Sequence, residues 1–122
     1  VLTPPRVLVV DDERYVRGLL TELLKVWGCE ADVAEGGREG LSLFRKKSYD
    51  LVLTDYAMPG GSGLELVENV RNSDPGVGVI MLTASAADLD GHGRRLGFTL
   101  LHKPLQIEHL ESAVKQVLSD RR

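Results

Sequence analysis

The chain has 122 residues, a net charge of −3 and a pI near 5.6. That length suits one domain able to bury about two thirds of its unfolded surface, so neither disulfide nor metal is needed to hold a core. The single Cys29 excludes an internal disulfide, and an acidic balance with only short basic runs (Arg45-Lys46-Lys47, Arg94-Arg95, Arg121-Arg122) argues against direct nucleic-acid binding.

No apolar run approaches the ~20 residues of a membrane span. Thr3-Pro4-Pro5-Arg6 interrupts the apolar start that a secretory leader would need. A reducing, cytoplasmic setting without membrane contact is therefore expected. A start at Val1 rather than Met is expected of a segment cut from a longer chain.

After an extended Pro4-Pro5, the run Arg6 to Val10 is rich in β-branched residues and predicts a buried strand. Asp11-Asp12 then opens a helix whose apolar residues Val16, Leu19, Leu20, Leu23, Leu24 and Trp27 share one face. Gly28 ends it, because glycine turns left-handed at low cost. Cys29 to Ala34 predicts a weaker strand, which Gly36-Gly37 breaks, and a modest helix follows from Arg38 to Lys47.

Leu51 to Asp55 predicts a third strand that ends in a carboxylate, and Met58-Pro59-Gly60-Gly61 turns the chain. Leu64, Leu66, Val67 and Val70 support the next helix, which stops before Asp74-Pro75. Val77 to Leu82 predicts a fourth strand ending at Thr83-Ala84-Ser85. The segment Ala86 to Leu96 completes the rhythm as a helix weakened by Gly91 and Gly93, each costing about 1 kcal/mol against Ala. Thr99 to Lys103 predicts a fifth strand closed by Pro104, and Ile107, Leu110, Val114, Val117 and Leu118 stripe a last helix. This alternation predicts one compact α/β domain, a parallel sheet with helices on both faces.

In such a sheet all strands present their carboxyl ends on one edge, where ligands bind. Strand one brings Asp11 and Asp12 there, strand three Asp55, strand four Thr83 and strand five Lys103. A lone Asp at a strand end would be read as a cap. Three are different, because two carboxylates ~4 Å apart repel by about 4 kcal/mol at an effective dielectric of 20. Lys103 supplies one compensating charge, and a hard divalent cation such as Mg²⁺ matches the remaining all-oxygen donor set. A Gly-rich phosphate loop is missing after the first strand. The chemistry that fits is phosphoryl transfer to Asp55, with Lys103, Thr83 and the metal stabilising the transferred group.

Taken together, VLVVDDE, LVLTDYAMPGGSG, IMLTAS and LLHKPL resemble the receiver domain of two-component response regulators over about Arg6 to Leu118. That resemblance implies a five-stranded sheet in order 2-1-3-4-5 with Asp55 as phosphate acceptor. It implies Mg²⁺ held by Asp12, Asp55 and the Ala57 carbonyl, with Asp11 acting through a metal-bound water. Thr83 and the Ala84 N–H would hold the phosphoryl group, Lys103 would pair with another of its oxygens, and Lys103-Pro104 would be cis. Ala57 and Ser85 would tune phosphoryl lifetime. The implied donor is a phosphohistidine on a sensor histidine kinase or a phosphotransfer protein, the downstream effector is unspecified, and a phosphorylation-dependent dimer is compatible with the family.

Two departures stand out. Leu100, in a segment Gly97 to Lys103 one residue shorter than usual, takes a position where the family often has Tyr or Phe, so an aromatic swing is not expected; and the helix before it carries Gly91 and Gly93 in a region that often forms the family's signalling face, which implies mobility there. His92, His102 and His109 lack metal spacing and are expected on the surface. Two other readings remain open from the residues. One is an interaction module of this fold that ignores phosphorylation. The other is a metal-dependent phosphohydrolase, against which stands Ala57 where such enzymes commonly place a second Asp.

Overall fold

A computed structural model describes residues 3–84 and 88–120. In chain order its strands are β1 (Arg6–Val10), β2 (Glu30–Ala34), β3 (Leu51–Asp55), β4 (Ala57–Met58), β5 (Gly61–Ser62), β6 (Gly78–Thr83) and β7 (Thr99–His102). Its helices are α1 (Arg14–Val26), α2 (Gly37–Lys46), α3 (Gly63–Ser73), α4 (Asp90–Leu96) and α5 (Ile107–Asp120). Five strands form a parallel sheet in the order β2-β1-β3-β6-β7, while β4 and β5 pair only with each other. Counting the five sheet strands alone, this is the expected 2-1-3-4-5 arrangement.

The three central strands lack polar alternation because both faces are covered. Leu8, Val10, Val52, Val79 and Met81 meet Phe44, Leu66, Val67, Val70, Leu89 and Leu96 from α2, α3 and the α4 region. On the other face Val7, Val9, Leu51, Leu53, Ile80 and Leu82 meet Leu20 and Leu24 of α1 and Leu110 and Val114 of α5. Full burial of each such side chain contributes roughly 1.5–3 kcal/mol, so β1, β3 and β6 are the stiff frame. The edge strands β2 and β7 are only partly buried.

Local departures from the sequence-based expectation have physical causes. Helix α1 opens at Arg14 rather than directly after Asp11-Asp12, because Asp11 Oδ1 accepts the Glu13 N–H at 2.9 Å and holds a turn first. Leu19 lies at the margin of its apolar stripe and is 43% exposed, so Val16, Leu20, Leu23, Leu24 and Trp27 carry the packing. Helix α4 starts at Asp90, later than the expected Ala86. The Ser85 position falls outside the described residues.

Candidate functional site

The parallel register assembles the site. Val10 of β1 pairs with Thr54 of β3, so the following residues Asp11 and Asp55 are neighbours across the two strands. Asp55 pairs with Leu82, which sets Thr83 one residue beyond it on β6. Thr83 pairs with His102, which sets Lys103 one residue beyond β7. Backbone bonds continue the alignment past the strand ends, from Lys103 N–H to Thr83 O at 2.8 Å and from Tyr56 N–H to Leu82 O at 2.8 Å.

The turn after Asp55 is tighter than the sequence suggests. Ala57–Met58 and Gly61–Ser62 close a two-rung antiparallel hairpin, and Gly63 N–H donates to Tyr56 O at 2.7 Å. A Cβ at Gly63 would stand 2.4 Å from the Asp55 carbonyl oxygen, so only glycine lets α3 begin this close to the strand end. Helix α3 then starts on a capping box, with Glu65 N–H donating to Ser62 Oγ at 3.3 Å and Ser62 N–H to Glu65 Oε1 at 3.1 Å. Strand and helix together fix the Asp55 backbone.

Lys103 Nζ lies 3.2 Å from Asp55 Oδ1 and 3.7 Å from Asp11 Oδ2. Oxygens of Asp11, Asp12 and Asp55 lie within 4.8 Å of one another. Asp11, Asp55 and Thr83 are buried, whereas Asp12 and Ala57 are exposed at the rim. Ala84 follows Thr83 on the exposed side. Burial pushes the Asp55 carboxyl above its ordinary range; Asp11 and Asp12 add to the rise, and Lys103 opposes it. Burial works against the Lys103 ammonium too, but the Asp55 hydrogen bond and the charges of Asp55, Asp11 and Glu13 outweigh it and raise its pKa.

One atom is left over. Among the described residues, buried Asp11 Oδ2 accepts no hydrogen bond and has only the longer ion pair to Lys103. A buried carboxylate oxygen without a donor is costly. Three carboxylates facing one ammonium, with an orphaned oxygen among them, fit a hard cation. Asp11, Asp12 and Asp55 gather here around Lys103, the strand register sets Thr83 at the same edge, and the Lys103–Pro104 peptide is cis. The three histidines stay outside it, exposed.

Sequence reasoning missed Arg17, whose Nη1 donates to the Asp11 carbonyl at 2.9 Å. Its place one turn into α1 was a usable signal, since a side chain there leans back toward the helix start. Leu100 is partly buried and packs against the core layer beneath α3 and α4.

Comparison with known proteins agrees with this geometry. The family model for the response regulator receiver domain matches residues 7–115. The chain is 33% identical over 115 residues to sporulation initiation phosphotransferase F of Bacillus subtilis, covering 93% of each. It is 32% identical over 124 residues to the chemotaxis protein CheY of Halobacterium salinarum, covering 93% of this chain and 97% of that one. A response regulator receiver protein of Anaeromyxobacter is 39% identical over 107 residues, and there the chain spans 45% of the relative's length. Among solved structures, the response regulator TrrA of Thermotoga maritima in complex with Mg²⁺ and BeF is 37% identical at a TM-score of 0.85, covering 93% of this chain and 98% of that one. Sequence, strand order and site therefore converge, and the chain belongs to the response regulator receiver domains, the phosphorylation-dependent switch modules of two-component systems.

Proposed function

We propose that Asp55 accepts a phosphoryl group from a phosphohistidine on a sensor histidine kinase or phosphotransfer protein, and that the whole chain, with its core at about 6–118, acts as one receiver. The observation that supports this is Lys103 Nζ at 3.2 Å from Asp55 inside a carboxylate cluster short of positive charge. An Asp55 oxygen attacks phosphorus in line, the P–N bond breaks, and the donor imidazole leaves and takes up a proton at that nitrogen. Lys103 then pairs with a non-bridging phosphoryl oxygen, while the Thr83 hydroxyl and the Ala84 N–H take the others. Mg²⁺, when bound, would neutralise phosphoryl oxygens; Asp12, Asp55 and the Ala57 carbonyl would hold it, with Asp11 acting through a water. By the same contacts the domain assists its own phosphorylation and dephosphorylation. Leu100, already packed inward, takes no part in an aromatic swing.

Intact mass after treatment with a small phosphodonor and Mg²⁺ tests this reading. The expected result is a gain of one phosphoryl group, absent from Asp55→Asn and absent when EDTA replaces Mg²⁺. No gain, or an equal gain in the Asn variant, overturns it.

A further inference from the structure

Asp11 is held at nearly every atom that can form a hydrogen bond. It is fully buried, and its N–H donates to Ala34 O at 3.1 Å. Its Oδ1 accepts the Glu13 N–H at 2.9 Å, and its carbonyl oxygen accepts Arg17 Nη1, also at 2.9 Å. Oδ2 is left to face Lys103. Main-chain groups supply the first two of these bonds, whereas the third depends on one side chain.

Arg17 stands in the first turn of α1. Its N–H donates to Glu13 O at 3.0 Å, and its carbonyl accepts the Thr21 hydroxyl at 2.8 Å. From there its side chain leans back past the helix start and reaches Asp11. A cation in that turn runs against the helix dipole, whose positive end lies there. The same turn carries no acidic residue, and the N-cap Glu13 makes no side-chain capping bond. By local rules alone an acidic residue would suit the place better. A local rule broken in this way points to a role outside the helix.

The carbonyl that Arg17 binds belongs to the peptide between Asp11 and Asp12. That unit is planar, so fixing its oxygen fixes the rotation of the whole plane and the direction in which the chain leaves for Asp12. Asp12 is exposed at the rim, with an oxygen within 4.8 Å of those of Asp11 and Asp55. Little packing orients an exposed side chain, so the backbone beneath it decides where its carboxylate can reach. The guanidinium therefore has two effects of opposite sign on a cation at the cluster. Its charge repels a dication. Its hydrogen bond preorganises the ligands, and partners standing behind metal ligands are typically worth roughly 10–100-fold in affinity.

We infer that Arg17 is a positioning residue of the site: its guanidinium fixes the Asp11–Asp12 peptide and through it aims both carboxylates at the point they share with Asp55. The effect on cation binding rests on the reading that Asp12 and Asp55 hold Mg²⁺; the fixing of the peptide does not. Without the bond the peptide turns, Asp12 swings at the rim, and the three carboxylates no longer face one point. The gain from preorganisation exceeds the loss from charge.

Two measurements on the whole, unphosphorylated chain test this: Mg²⁺ titration followed by amide NMR shifts, and amide order parameters without metal. In the natural sequence the Asp12 amide should be as rigid as ordered backbone, near an order parameter of about 0.85. Arg17→Met should lower it toward ~0.6 and raise the Mg²⁺ Kd about tenfold or more. Arg17→Gln, whose uncharged amide is too short to reach Asp11, should act in the same direction and serves if Arg17→Met does not fold. Arg17→Lys, which keeps the charge and a single donor, should recover part of both properties. Thr21→Val removes the Thr21 bond from the same helix without touching Asp11 and should leave the Kd within about twofold. A Kd that is unchanged or lower in Arg17→Met and Arg17→Gln overturns the inference, since a role through charge alone predicts tighter binding once the cation is gone. Equal weakening in Thr21→Val, or an Asp12 amide that stays rigid in every Arg17 variant, overturns it too. If the natural sequence takes up no Mg²⁺, the reading of the cluster as a Mg²⁺ site falls instead, and the metal-free order parameters still decide whether Arg17 fixes the peptide.

Discussion

Two aspartates in this molecule meet opposite environments. Asp32, on the edge strand β2, faces three donors: Tyr49 Oη at 2.6 Å, Lys47 Nζ at 3.4 Å and Arg6 Nη2 at 3.5 Å. The Tyr49 hydrogen bond, helped by Lys47 and Arg6 against the pull of burial, holds its carboxyl below the ordinary range. Burial and Asp32 in turn push the Tyr49 hydroxyl well above its usual value. Asp55 has one ammonium and two neighbouring carboxylates, and its carboxyl is displaced upward. The same side chain is over-supplied with partners in one place and under-supplied in the other. Structural carboxylates are satisfied by the chain itself, whereas a functional one is left short so that a ligand can complete it.

That contrast can be broken in steps. Lys103→Met should have the largest effect, costing about 3 kcal/mol in metal-free urea unfolding, because it strands the buried charge of Asp11 beside Asp55. An unchanged midpoint would show that the lysine compensates nothing. Mg²⁺ at ~100 times its dissociation constant should raise the stability of the natural sequence by about 2.7 kcal/mol, and the same concentration should add more in Lys103→Met, whose cluster is shorter still of positive charge and binds the ion more tightly. Tyr49→Phe should cost about 1–2 kcal/mol through the lost bond to Asp32 and should not respond to Mg²⁺. A Mg²⁺-dependent cost would mean that the two clusters are coupled.

The smallest effect separates the two by sign. Asp32 lies below its ordinary value, so it adds stability that is complete above the unfolded-state value of ~3.9 and is lost as pH falls through its folded value. Asp55 lies above, so its ionisation costs stability above its folded value, and the cost is relieved as pH falls toward ~3.9. Metal-free unfolding midpoints against pH should show Asp32→Asn flattening the acid limb. Asp55→Asn should remove the decline that begins above pH ~3.9 and should raise the midpoint near neutrality. Parallel curves for the two variants would erase the distinction.

The sheet and its site were legible because both depend on local pattern. Apolar runs such as Val7 to Val10 and Leu51 to Leu53 name the buried strands, and the polar residue that ends each run stands at the ligand-binding edge. His102, expected on the surface for lack of metal spacing, is exposed. What stayed hidden depends on partners far along the chain. Arg71 gives no sign in its own sequence of bonding to Leu96 and Gly97, because backbone carbonyls carry no residue code. Tyr49 and Asp32 meet only because β2 and the α2–β3 connection pack at the same edge. Gly93 was read as a weak point in a helix, but its closeness to Phe98 follows from a cap that requires Gly97 to turn left-handed. The β4–β5 hairpin was hidden for another reason: Ala57 to Ser62 is too short for any period to register.

The register that brings Asp11, Asp55, Thr83 and Lys103 together has a consequence for biosynthesis. Each residue lies just past, or at the end of, a different strand, and the strand carrying Lys103 is last in the chain and at the outer edge of the sheet. Asp55 leaves the ribosome well before β7, but its lysine partner does not exist until β7 has docked on β6. A nascent or truncated chain therefore carries Asp55 without the lysine that pairs with it. The site is complete only once the last strand of the sheet has docked, so its assembly reports that all five strands are in register.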